Sequence, residues 1–168
     1  ADDILAAQEN ALASNLWDDV FKQVSDASKQ TDDSCSGTKG FRESLTGGCA
    51  TITISSIDTV FPKTITVDFG TVNCQGTDYR YRRGKLIYTI STWYRDSGCT
   101  ITVTPDNYYV DDYKVVGTKT IKNLGRDTDS LISYEVSVVN ATIIAPNGTT
   151  FSWNTTRTNK WVAGESTV

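Results

Sequence analysis

A chain of 168 residues is long enough for one domain with a real core and too short for two sizeable ones. A formal net charge of -4 and a pI near 4.8 remove any global pull toward phosphate backbones, so nucleic acid is not an expected partner. The sequence holds no run of about 20 apolar residues to cross a bilayer, so no transmembrane segment is expected, and ADDILAAQ reads as a mature N-terminus from which any export signal has already been removed.

Histidine and methionine are absent, while Thr, Ser, Asn, Asp and Tyr are abundant. That mixture suits an exported β-protein whose exposed strand faces carry hydroxyls and amides. Cys35, Cys49, Cys74 and Cys99 are even in number and contain no CxxC pair, which favours disulfides in an oxidising compartment over a zinc site.

Residues 1–29 read as a helix, because Ile4, Leu5, Leu12, Leu16, Trp17, Val20, Phe21 and Val24 recur at three- and four-residue intervals. Asp2 and Asp3 suit its positive end. The stripe is expected to pack on a core, since acids on the polar face do not suit a membrane-surface helix. Residues 30–48 are a loop by composition. The period then changes to two: ATITISSI (50–57) alternates Ile with Thr, and KTITVDFG (63–70) puts Ile65, Val67 and Phe69 on one face.

Strands follow at 84–94 and 99–104, joined by a turn at 95–98. After a break at PDN comes a strand over 108–122, carrying Asp111 and Asp112, then the loop NLGRDTD and a strand over 130–145. Asn147-Gly148 predicts a type I′ hairpin onto the last strand, 150–162. Strands of about 15 residues reach about 50 Å and cannot stay flat. The expected fold is mainly β with one N-terminal α-helix: residues 49–168 form a long-stranded, curved antiparallel meander with the helix on its concave face, one domain overall. In this topology Cys49 and Cys74 share the open end of the first hairpin and should pair, leaving Cys35 with Cys99 by elimination.

Without histidine, catalysis would fall to carboxylates. Asp111, Asp112 and Glu135 show no spacing that marks an acid and a base, and Asp127 and Asp129 match calcium-loop spacing poorly. No catalytic residue, metal or cofactor is therefore assigned. Arg80, Arg82, Arg83 and Lys85, with Trp93 and Tyr94, form a candidate patch for an anionic sugar, a lipid head group or a partner's carboxylates. The preferred alternative is pairing of these arginines with acids and tyrosines on neighbouring strands. Asn140, Asn147 and Asn154 fit the N-glycosylation acceptor pattern.

CATITISS…FPKTITVDFGTVNC, RRGKLIYTISTWYRDSGCTITVTPDNYYVDDYKVVGTKTIKN and FSWNTTRTNKWVAGEST together resemble a family of uncharacterised secreted proteins and lipoproteins of Bacteroidota. The order of motifs carries the likeness: a Cys-flanked hairpin, RxGK, YRD, DNYxVxxYKVxGTKT and WxxTRTxxWxxGE. The resemblance implies export, an all-β body and residence outside the cell or on its outer surface, and it brings no catalytic residues. It also implies the Asp-Ser/Thr-aliphatic O-glycosylation signal, met at Thr59 and Ser130. Relatives in that family continue past GEST, so the last strand here is expected to present an open edge. The expected function is a non-enzymatic structural or binding protein, self-assembling through sheet edges or the N-terminal segment, or meeting another surface protein or a glycan. The alternatives are a carrier of lipid between helix and sheet and, after it, a carboxylate-based glycan hydrolase.

Overall fold

The computed structural model describes residues 2–35, 48–55, 60–93 and 96–160. Helix α1 (Asp2–Cys35) precedes strands β1 (Thr51–Ile54), β2 (Lys63–Asp68), β3 (Cys74–Gln75), β4 (Tyr81–Ile90), β5 (Thr100–Val110), β6 (Tyr113–Arg126), β7 (Ile132–Ile144) and β8 (Thr150–Lys160). All pair antiparallel in one open, curved sheet of order β1-β2-β4-β5-β6-β7-β8, with the short β3 also on β4. Each strand thus neighbours the next long one, as short hairpin connections dictate.

Alternation along the strands sorts apolar residues to one face, and α1 lies across that concave face. Leu16, Trp17, Val20 and Val24 of α1 are fully buried in one cluster with Val67, Leu86, Val103, Tyr108, Val110, Val115, Val138 and Ile143. Each such side chain contributes about 1.5–3 kcal/mol relative to exposure. Ile65, Val67 and Phe69 are all buried, as their period-two spacing predicts. Gly117 permits the close approach of helix and sheet: a Cβ there would stand 2.7 Å from Ala141 Cα and 3.1 Å from Trp17 Cζ2. The indole of Trp17 lies where that missing methyl leaves room.

Several boundaries differ from the sequence reading. The helix runs to Cys35, past the expected end at Lys29, because Thr, Asp and Ser each cost only about 0.5 kcal/mol once a helix is nucleated. PDN is no break: Pro105 to Asn107 lie within β5, where the ladder to β6 is interrupted between Val103 and Tyr109, so the missing Pro105 N–H costs no ladder bond on that side. The true turn is Asp111-Asp112, read from sequence as strand. Both residues take positive φ (50° and 63°), which Asp tolerates, and they close the two-residue β5–β6 hairpin.

At PNGT the expected type I′ turn is replaced. Gly148 N–H bonds Ala145 O at 2.8 Å, so the central pair is Pro146-Asn147; proline cannot take positive φ, and a type I turn results, with Gly148 (φ 85°) closing it. NLGRDTD contributes Asn123 to Arg126 to β6, leaving a loop organised by Asp127, whose Oδ1 accepts from the N–H groups of Asp129 and Leu131.

Cys49 and Cys74 form a disulfide with Cα atoms 5.5 Å apart, as the hairpin topology requires. The other expected bridge is corrected at one end: Cys99 is a buried free thiol, donating to Thr92 O at 3.3 Å. The side chain of Cys35 lies outside the described residues.

Candidate functional site

The arginine-rich start of β4 is where the sequence places its candidate patch, and the structure divides that patch between the two faces of the sheet. Arg82 points inward and is only 2% exposed. Its guanidinium forks onto two carboxylates. Nε donates to Asp19 Oδ2 at 3.2 Å and Nη2 to Asp19 Oδ1, while Nη1 and Nη2 donate to the Asp78 oxygens at 2.8 and 2.6 Å. Tyr108 Oη donates to Asp19 Oδ2 at 3.0 Å. Helix, β4, β5 and the β3–β4 turn therefore meet on one buried ion-pair network.

Burial works against the Arg82 charge, but the hydrogen bonds to Asp78 and Asp19 more than offset it and raise its pKa. The same bonds hold the Asp78 carboxyl well below the usual carboxylate range. Burial, with the Asp19 charge beside it, pushes the Tyr108 phenol well up. All three groups thus keep one charge state across neutral pH.

Arg80 donates through Nε to Asp111 Oδ2 at 2.8 Å and through Nη1 to Asn15 Oδ1 of α1 at 3.3 Å. On the outer face Arg83 pairs with Asp112 and donates to Asn73 Oδ1 at 2.6 Å, its guanidinium lying 3.8 Å over the Tyr109 ring. Lys85 meets its cross-strand partner Asp68 at 3.0 Å. Every cation of the patch is engaged by an acid of the same chain. Trp93 lies beyond the opposite end of β4, edge-on to Phe61 at 5.0 Å with the Lys63 amine 5.3 Å above it, and Tyr94 is outside the described residues. Arginines and Trp93 do not share a surface.

Asp127 is taken by backbone N–H groups and by Lys160 at 2.6 Å, and Glu135 stands exposed on the outer face. Among the described residues no three potential metal-ligating side chains come together. Ser130 is exposed in the β6–β7 loop with φ 61°; Thr59 is outside the described residues.

Two features had no clear sequence signal. Lys119, in the middle of β6, is 3% exposed. Its amine donates to Trp17 O at 3.3 Å, lies 5.0 Å over the Phe21 ring and is 3.8 Å from Asp18. Burial pushes its pKa down to about 8 against the Asp18 charge. The second feature lies where α1 leaves the sheet. Trp153 Nε1 of β8 donates to Asn10 Oδ1 at 2.7 Å, and N-terminal to that contact Ile4 and Leu5 are exposed. Leu5 stands on the line of Leu12 and Leu16, whereas Ile4 lies on the opposite side of the helix from the buried Ala13.

The α1 helix and the sheet contain no span able to cross a membrane as a helix among the described residues. Neither a scan against protein-family models nor searches of curated proteins and of solved structures find a match to this chain.

Proposed function

We propose that this chain is a non-enzymatic extracellular or cell-surface structural or binding protein that associates with copies of itself through a sheet edge. The single observation that carries the reading is β8: eleven residues paired with β7 on one side and, among the described residues, with nothing on the other. An edge of that length offers a row of free N–H and C=O groups to another strand. The Cys49–Cys74 disulfide accords with an oxidising compartment. The likeness to secreted proteins of Bacteroidota points the same way.

The competing readings find less support. Carriage of a lipid needs space between helix and sheet, and that space is filled by Leu16, Trp17, Val20 and Val24 against the strands. Glycan hydrolysis needs two carboxyls facing each other across a cleft, whereas Asp111 and Asp112 sit in the β5–β6 turn paired with Arg80 and Arg83, and Glu135 stands on the outer face. The test is the assembly state of the protein isolated from its source, by sedimentation and negative-stain electron microscopy. Oligomers or fibres are expected; uniform monomers at high concentration would overturn the self-association.

A further inference from the structure

Arg80, Arg82, Arg83, Lys85 and Lys160 each stand within 3.0 Å of a carboxylate oxygen. Lys119 of β6 and Arg157 of β8 are held differently. Both approach one oxygen, Asp18 Oδ1 of α1, and both stop 3.8 Å from it, past hydrogen-bond length. Asp18 and Arg157 are half exposed, whereas Lys119 is buried. The corner where α1 packs on β6 and β8 therefore sets two cations against one acid, and an excess of positive charge remains.

The same corner is short of acceptors. An ammonium carries three N–H donors, and Trp17 O accepts one of those of Lys119 at 3.3 Å. The Phe21 ring, 5.0 Å away, offers a π-face but no lone pair. Trp17 brings a further donor: its indole N–H is buried and meets no acceptor among the described residues. A buried ammonium held this loosely is costly. Burial, opposed by the Asp18 charge and aided by that of Arg157, accordingly pushes its pKa down to about 8. Loss of the proton relieves the cost in one way, and a bound acceptor relieves it in another.

Charge selects the acceptor. Water would meet N–H groups and leave the excess charge in place, whereas an anion answers both, and the apolar side chains around Lys119 strengthen its attraction. With Lys119 only 3% exposed, the ion must be small. We propose that Lys119 and Arg157 bind one small monovalent anion at the corner of α1, β6 and β8, the Lys119 amine as its buried donor and the Arg157 guanidinium at its rim. The ion ties two strands to the helix, so it stabilises the docked helix. This site stands apart from self-association through β8 and is tested separately.

The experiment titrates sodium chloride, and in a second arm sodium formate, into the 168-residue chain, with ionic strength held constant by sodium gluconate, whose anion is too large for the corner. The readouts are the midpoint of thermal unfolding and the Lys119 amine followed by NMR. Chloride should raise the midpoint saturably and raise the Lys119 pKa. Its affinity should fall about tenfold for each pH unit above 8, because only the ammonium binds it. Asp18 and Arg157 are the other charged groups that face the amine. Lys119→Met should abolish the chloride response, and Arg157→Gln, at an exposed position that leaves the fold intact, should weaken it at least tenfold. A response to chloride alone assigns the site to halides, one to formate alone to carboxylates, and one to both to small anions as a class. A response that either variant leaves unchanged, or that persists undiminished at pH 10, overturns the site. So does a midpoint that follows ionic strength whatever the anion.

Discussion

Arg82 shows how a residue that reads as surface chemistry becomes internal architecture. Its two carboxylate partners come from α1 and from the β3–β4 turn, 63 and 4 residues away, so the site needs the helix docked before its charge is balanced. Arg82→Met leaves Asp19 buried without its main counter-charge, and denaturant unfolding should show a loss of about 3–5 kcal/mol. Asp19→Asn should cost less, because Asp78 still holds the guanidinium. Asp78, whose carboxyl is depressed, contributes stability present above its ordinary pKa of 3.8 and lost as pH falls below it.

Lys119 works in the opposite sense. Its folded pKa of about 8 lies below its ordinary 10.5, so between those values the unfolded chain binds more protons and stability rises with pH. The gain should be on the order of 3 kcal/mol, read as the difference between the native protein and Lys119→Met, whose stability lacks this term. The difference cancels Tyr108 and Cys99, whose raised values act against stability at alkaline pH in both proteins. Tyr79 is a smaller case: it takes φ 63° at the β3–β4 turn with its ring 81% exposed. Tyr79→Gly should raise stability by about 1 kcal/mol in thermal unfolding, since the left-handed conformation costs a side-chain-bearing residue more than glycine.

At the scale of elements, β4 and β5 are locked by a bulge at Gly84. It has φ 88°, and a Cβ would fall 2.0 Å from Asn107 O. Gly84→Ala must push backbone apart, and a loss of about 3 kcal/mol or more is expected in urea unfolding, with the β4–β5 amides losing hydrogen-exchange protection first. The Cys49–Cys74 bridge closes a sequence separation of 25 residues around β1 and β2, the narrow side of the sheet. Replacing both cysteines by alanine should cost about 3 kcal/mol, measured as a shift in the unfolding midpoint. The elements themselves were legible where period two ran unbroken, as in Ile65-Val67-Phe69. They were misread where a bulge absorbed a proline, at Pro105, and where two acids made a turn, at Asp111-Asp112. Turn chemistry and strand chemistry overlap for such residues, and only the pairing partner separates them.

The whole molecule is one curved sheet braced by one helix, and its charges divide accordingly. Inward cations, Arg82 and Lys119, answer groups on α1; outward ones, Arg83 and Lys85, answer acids on adjacent strands. This division pairs each cation of the arginine patch within the chain, while among the described residues the outer edge of β8 has no partner strand. Helical spacing, the switch to a two-residue period and the cysteine positions determined by themselves the fold class, the meander and one disulfide, since each is written in local pattern and short connections. Tertiary structure alone decided that Arg82 is buried, that Cys99 keeps its thiol, that Lys119 lies under Trp17, and that α1 is longer than its sheet is wide. Those outcomes depend on which groups residues far apart in the chain present to one another, and no local pattern encodes that.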